Sequence, residues 1–225
     1  MKKLNNTIIR TVISVILTIC LIIGLIPLPQ FTKNVYAADE IIVTSNTWHM
    51  TTGIYRVSQD VTVISNIWID GEVTIILDEG KKLTAERGIT VADSDKLTIE
   101  GKGTLETTGN IVNAGIGGGA GAGRERLNCG TVIINGGTIN ATGGEDGAAG
   151  IGGGGHFSVD NGGSGGIIII NGGTVNATGG YKAAGIGGGR GKKTFGSGGN
   201  ITINGGTVTA NGACGEQELA VQAMA

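Results

Sequence analysis

Proline is almost missing from this 225-residue chain, and its two copies, Pro27 and Pro29, stand near the N-terminus. Proline cannot donate to a β ladder, so the proline-free remainder suits a backbone that is paired throughout. The same scarcity excludes collagen, which needs proline within a strict three-residue glycine period. Aromatic residues are 4% of the chain and histidines number two, which leaves little for a large aromatic core or a histidine-based centre. Of three cysteines, Cys20 lies in an N-terminal apolar run, so Cys129 and Cys214 are the pair that remains. Two cysteines do not make a disulfide-stapled scaffold, and their spacing leaves open whether they pair. A basic surplus is absent too, with 16 Lys and Arg against 18 Asp and Glu. Without basic surface the chain is a poor phosphate binder, and no nucleic-acid partner is expected.

The leader is a region of its own. Lys2, Lys3 and Arg10 give a positive start, Val12–Leu28 is uncharged and apolar, and Val35-Tyr36-Ala37 offers small side chains for cleavage. This three-part pattern reads as a secretory signal peptide over residues 1–37. Contact with a membrane is expected only through this segment, where it stays uncleaved. The bulky Ile19 before Cys20 argues against a lipoprotein cleavage site. Removing the leader leaves 12 basic residues against 18 acidic ones, a net charge of −6.

What the chain has in abundance is glycine, 45 residues, where an average protein carries about 7%. The glycines are ordered. AGIGGG occurs at Ala114–Gly119, Ala149–Gly154 and Ala184–Gly189. TVIINGGTINATGG (131–144), IIIINGGTVNATGG (167–180) and NITINGGTVTANG (200–212) precede or follow these clusters, with a degenerate copy, LTIEGKGTLETTG, at 97–109. Self-similarity at a fixed period marks a solenoid or propeller. Ile201-Thr202-Ile203, a Gly-Gly step, then Thr207-Val208-Thr209 alternate as strand, turn, strand. The inward set is then Val132/Ile134, Ile168/Ile170 and Ile201/Ile203, continued by Ile139/Val175/Val208 and Ala141/Ala177/Ala210.

Like residues in like positions predict coils stacked directly on one another at the ~4.8 Å strand spacing. Asn135, Asn171 and Asn204, at steps of 36 and 33 residues, form an expected hydrogen-bonded column. In AGIGGG the isoleucine fills a third side while its glycines allow sharp turns and positive φ. The reading is an all-β chain, a parallel β-helix with stacked glycine-rich coils of about 33–36 residues. The expected organisation is 38–60 as N-terminal cap, then a solenoid over 61–212 with repeats at 97–130, 131–166, 167–199 and 200–212. Residues 213–225 form an atypical tail, a short helix or the mark of a truncated surface protein. Trp48, Tyr55 and Trp68 are expected to plug the first coil. Open coil ends invite end-to-end self-association.

These repeats and their lead-in, VTIILDEGKKLTAERGITVADSDKLTIEGKGTLETTG, resemble the glycine-rich regions of large secreted or wall-associated proteins of Gram-positive gut bacteria. Such regions are usually described as carbohydrate-binding-like or pectin-lyase-like. The resemblance implies a right-handed parallel β-helix, a secreted or cell-wall location and a glycan or host surface as partner.

Catalysis has thinner support. A polysaccharide lyase needs carboxylates for calcium and a basic residue as general base; Asp93, Asp95 and Glu100 with Lys96 and Lys102 are the nearest approach. Asp93-Ser94-Asp95 equally reads as a turn. Gly150–Gly155 matches a dinucleotide fingerprint by composition alone, without a βαβ unit. No catalytic residue, metal or cofactor is therefore expected. The functional candidates are loops that differ between copies: His156, Phe157 and Asp160 in one, Tyr181 and Lys182 in a second, Arg190, Lys192 and Phe195 in a third. Each joins an aromatic ring to polar or charged groups, which is what sugar recognition requires. A purely structural surface stalk is the alternative, and a polysaccharide lyase or hydrolase the second.

Overall fold

In the computed structural model, which describes residues 40–91, 94–121, 124–126 and 128–213, the chain winds as a parallel β-helix with three faces. The first face stacks His49–Val57, the later half of Ile67–Leu77, Lys96–Gly101, Thr131–Ile134, Ile167–Ile170 and Asn200–Ile203. The second stacks Val61–Val63, Lys82–Ala85, Thr104–Thr108, Thr138–Thr142, Thr174–Tyr181 and Thr207–Ala213. The third is only two residues wide in its later coils: Ile89–Thr90, Ile116–Gly117, Ile151–Gly152 and Ile186–Gly187. Every pairing between coils is parallel, and the one antiparallel pair among the described residues is the hairpin of Gly119–Gly121 with Arg124–Arg126. The leader, Asp93, Cys214 and the rest of the expected tail lie outside the described residues.

The coil length changes along the stack. Partners are 24 residues apart at Glu72 and Lys96, then 35, 36 and 33 apart along Glu100, Asn135, Asn171 and Asn204. The later strands of the first face are four residues long and those of the third face two, so most of the added residues sit in the turns on either side of the third face. That is where the functional candidates fall.

Columns of like residues build the core. Val73, Leu97, Val132 and Ile168 are successive partners, as are Ile75, Ile99, Ile134 and Ile170, and all are buried. On the second face Leu83, Leu105, Ile139, Val175 and Val208 stack likewise, and on the third Ile67, Ile89, Ile116 and Ile151. Each buried Leu or Ile contributes about 1.5–3 kcal/mol by leaving water. The inward sets expected for the copies at 131 and 167 are the ones observed. Ile201, though in the same column, is 40% exposed, because no described strand covers its far side. The asparagine column forms as expected: Asn171 donates to Asn135 at 2.8 Å and Asn204 to Asn171 at 2.7 Å. A second ladder, Asn176 donating to Asn140 at 2.9 Å, joins it on the next face.

An Asp-Gly step ordinarily marks a turn between strands, but Ile67–Leu77 runs through Asp70-Gly71 and passes from the third face to the first. Gly71 takes φ 92° there, and its N–H donates to Asp95 Oδ1 of the next coil at 3.0 Å. The plug is not made by the three aromatics together. Tyr55 is buried, with the Thr51 N–H donating to its hydroxyl, but Trp48 is 55% exposed and stacked on His49. Val43 and Met50 supply the buried apolar groups at this end. Arg56 ties the same region together by donating to Glu40 and Asp78. Its hydrogen bond holds the Glu40 carboxyl below the usual carboxylate range.

Candidate functional site

The long turns after the third face are built from glycine and lie one on another. The turn after Ile151–Gly152 and the turn after Ile186–Gly187 are joined by backbone hydrogen bonds. His156 N–H donates to Arg190 O at 3.0 Å, Lys192 N–H to Val159 O at 2.7 Å, and Lys193 and Thr194 N–H to Asp160 O at 2.9 and 3.0 Å. Side chains repeat the connection: Lys193 Nζ reaches Asp160 Oδ2 at 2.7 Å and Thr194 Oγ1 donates to Asn161 Oδ1 at 2.7 Å. Two loops separate in sequence thus form one surface.

Tyr181 joins them from the other side of the narrow third face. Arg190 Cζ lies 5.0 Å from its ring centroid and Lys182 Nζ 5.3 Å. Both are cation–π distances. Room for this arrangement comes from Gly147 in the preceding coil, where an added Cβ would stand 2.6 Å from Arg190 Cβ and 2.7 Å from Tyr181 O. Arg190 N–H donates to Gly147 O at 2.7 Å. Lys182 has φ 57° and is the one non-glycine residue at positive φ among the described residues.

The structure therefore brings Tyr181, Lys182, Arg190 and the backbone of His156 together, and sets Asp160 and Lys192 on the adjoining turn. Phe157 and Phe195 are 54% and 63% exposed; Phe157 stacks on His156 at 5.6 Å between ring centroids. Tyr181 is not a bare platform, because its ring carries two cations. Lys193 lies in the third candidate loop, but its pairing with Asp160 carries no signal in the sequence, nor does the seat that Gly147 gives Arg190. The turn Arg190–Phe195 was itself legible, but which of its lysines meets an acid depends on how the two turns stack.

Outside this surface, the described members of the acidic cluster serve the fold. Asp95 accepts from Gly71, Glu100 accepts from Asn135 Nδ2 at 3.0 Å, Lys96 pairs with Glu72 at 3.1 Å and Lys102 with Glu79 at 3.7 Å. A shallow groove of about 220 Å³ lies on the outer side of the first face, lined by Thr52, Gly53, Glu72, Lys96 and Thr98 among others. It shares no residue with the aromatic loops.

Cys129 is buried in the core, and burial pushes its thiol up to about 12. An unfolded cysteine ionises near pH 8.5, so between those values the unfolded state sheds a proton that the folded state keeps. Stability should therefore fall as pH rises through that window, by up to about 1.4 kcal/mol per pH unit from this group. Urea unfolding from pH 8 to 11 checks it, comparing Cys214→Ala with Cys129→Ala/Cys214→Ala. The single variant should lose stability more steeply, and equal slopes would refute the assignment.

Comparison with models of known families matches the beta helix repeat over residues 97–120, 132–155, 168–190 and 201–220. The four matches begin at Leu97, Val132, Ile168 and Ile201, successive partners in one column. No curated protein and no solved structure matches the chain.

Proposed function

We propose that this chain is a secreted or cell-surface, non-catalytic β-helix module of a Gram-positive bacterium that binds glycan through the loops beside its third face. The observation that carries the reading is the contrast between coil and loop. Strand residues recur in columns from coil to coil, whereas Phe157, Tyr181 and Phe195 each occur once, Phe157 and Phe195 on turns that lie one on the other and Tyr181 at the end of the strand beside them. Exposed rings set among hydrogen-bonding groups offer a sugar its apolar face and its hydroxyl partners at once. Solenoid insertions gathered on one side are the usual place for such contacts. The absence of a catalytic role is supported by the engagement of Asp95, Glu100, Lys96 and Lys102 in contacts between coils. The leader, with its positive start and apolar run, supports export.

Purified monomer passed over a glycan and mucin array should bind a restricted set of glycans. Phe157→Ala/Tyr181→Ala/Phe195→Ala should abolish that binding while the β signal in circular dichroism stays intact. Binding that survives the triple substitution would remove the loops from the site. A blank array for the parent protein would leave a structural stalk.

A further inference from the structure

Among the described residues, two cations meet on the loop surface, and neither forms an ion pair with a carboxylate. Arg190 and Lys182 both lie against the Tyr181 ring, and an exposed Lys192 stands on the adjoining turn, its backbone N–H donating to Val159 O. Asp160 is the acid of these turns, and it is paired with Lys193. Glu145 and Asp146, the described acids on the preceding corner, form no ion pair with the three. The ring holds guanidinium and ammonium in place through its face, which leaves their N–H groups available to an anion.

The backbone supplies an independent observation. The residue before the Ala148-Ala149 pair is Gly147 at φ 97°, and the residue before the matching Ala183-Ala184 pair is Lys182 at φ 57°. A lysine thus occupies a conformation that the coil before it assigns to glycine. Strain of this kind collects at binding sites, where a side chain is needed at the position the backbone dictates. That coil carries Glu145-Asp146-Gly147 where this one has Tyr181-Lys182, so ring and charge are features of one coil and not of the repeat.

We propose that the loop surface selects a carboxylate-bearing polysaccharide, with Arg190 gripping a uronate carboxylate through two N–H groups, Lys182 beside it and Lys192 reaching in from the adjoining turn. The planar guanidinium fork matches a carboxylate, and Phe157 and Phe195 lie against the apolar faces of the sugars. The inference rests on the glycan-binding reading and adds the charge of the ligand to it.

Equilibrium binding of the intact protein to polygalacturonate, neutral dextran and polyglutamate tests it. Polygalacturonate should bind best and weaken as salt is raised. Arg190→Gln and Lys192→Gln should each cost about tenfold in affinity. Lys182→Gly should raise the thermal midpoint while weakening polygalacturonate binding, a combination that a lysine serving only the fold would not give. Equal affinity for dextran and polygalacturonate overturns the charge selection and leaves glycan binding standing. Equal affinity for polyglutamate shows that charge alone is read and overturns it too. Binding to none of the three, together with a blank array, overturns both this inference and the reading beneath it.

Discussion

Gly152→Ala is expected to lower stability by about 3–5 kcal/mol, the range of severe single substitutions. Two costs add at this position. Its φ of 133° is a conformation that L side chains rarely adopt, with a strain of about 1–3 kcal/mol. An added Cβ would also stand 2.0 Å from Gly187 O, the acceptor of the 2.8 Å hydrogen bond from Gly153 N–H. That oxygen belongs to the ladder of the next coil and cannot step aside without leaving a buried donor unpaired, at about 1–3 kcal/mol. Two controls separate the terms. Gly80 has φ 72° with nothing within 4 Å of the place an added methyl would take, and Gly198 has open space with no positive φ. Gly80→Ala should cost about 1–2 kcal/mol from conformation alone. Gly198→Ala should be neutral or gain up to about 1 kcal/mol by restricting the unfolded chain. Urea midpoints decide the order, and a Gly152→Ala loss no larger than that of Gly80→Ala would refute the close-stacking account.

Ile134→Ala carries the next largest expected loss, about 2–5 kcal/mol. Ile134 is fully buried between its column partners Ile99 and Ile170, so truncation leaves a void bounded by coils that the ladder holds in place. The adjacent Ile133 points the other way, half-buried on the outer side beside Thr98 and Ile169. Ile133→Thr continues the threonine already present in that outer column and should stay within about 0.5 kcal/mol of the parent. The pair is a direct test of register, because a slip of one residue would exchange the two faces. Comparable losses at both positions would contradict the stacking.

Much of the solenoid was legible because parallel stacking places like residue on like residue. Ile167–Ile170 alone, four isoleucines in a row, gives no alternation from which to choose a face. Asn200-Ile201-Thr202-Ile203, aligned beneath it, does, and the inward choice of Ile168 and Ile170 follows. The Asn135/Asn171/Asn204 ladder was legible for the same reason. Gly71 misleads because Asp-Gly ordinarily marks a turn, while here positive φ redirects a continuing strand and the next coil's Asp95 caps the bend. Trp48 misleads because apolar character does not say which side of a terminal strand is covered.

The candidate surface divides in the same way. That the variable segments around His156, Tyr181 and Arg190 stand apart from the repeat is visible in the sequence, since each interrupts a pattern kept elsewhere. Their meeting is not visible. Tyr181 and Arg190 lie on opposite sides of a two-residue strand, and only the narrowness of the third face brings the guanidinium to the ring. Sequence by itself determined the coils, their columns and the inward faces, because a ladder repeats its chemistry at each turn of the chain. Tertiary structure alone decided the bend at Gly71, the pairing of Lys193 with Asp160 and the seat of Arg190 above Tyr181 beside Gly147. Those contacts join residues that follow no period, so their partners are set by which turn comes to rest on which.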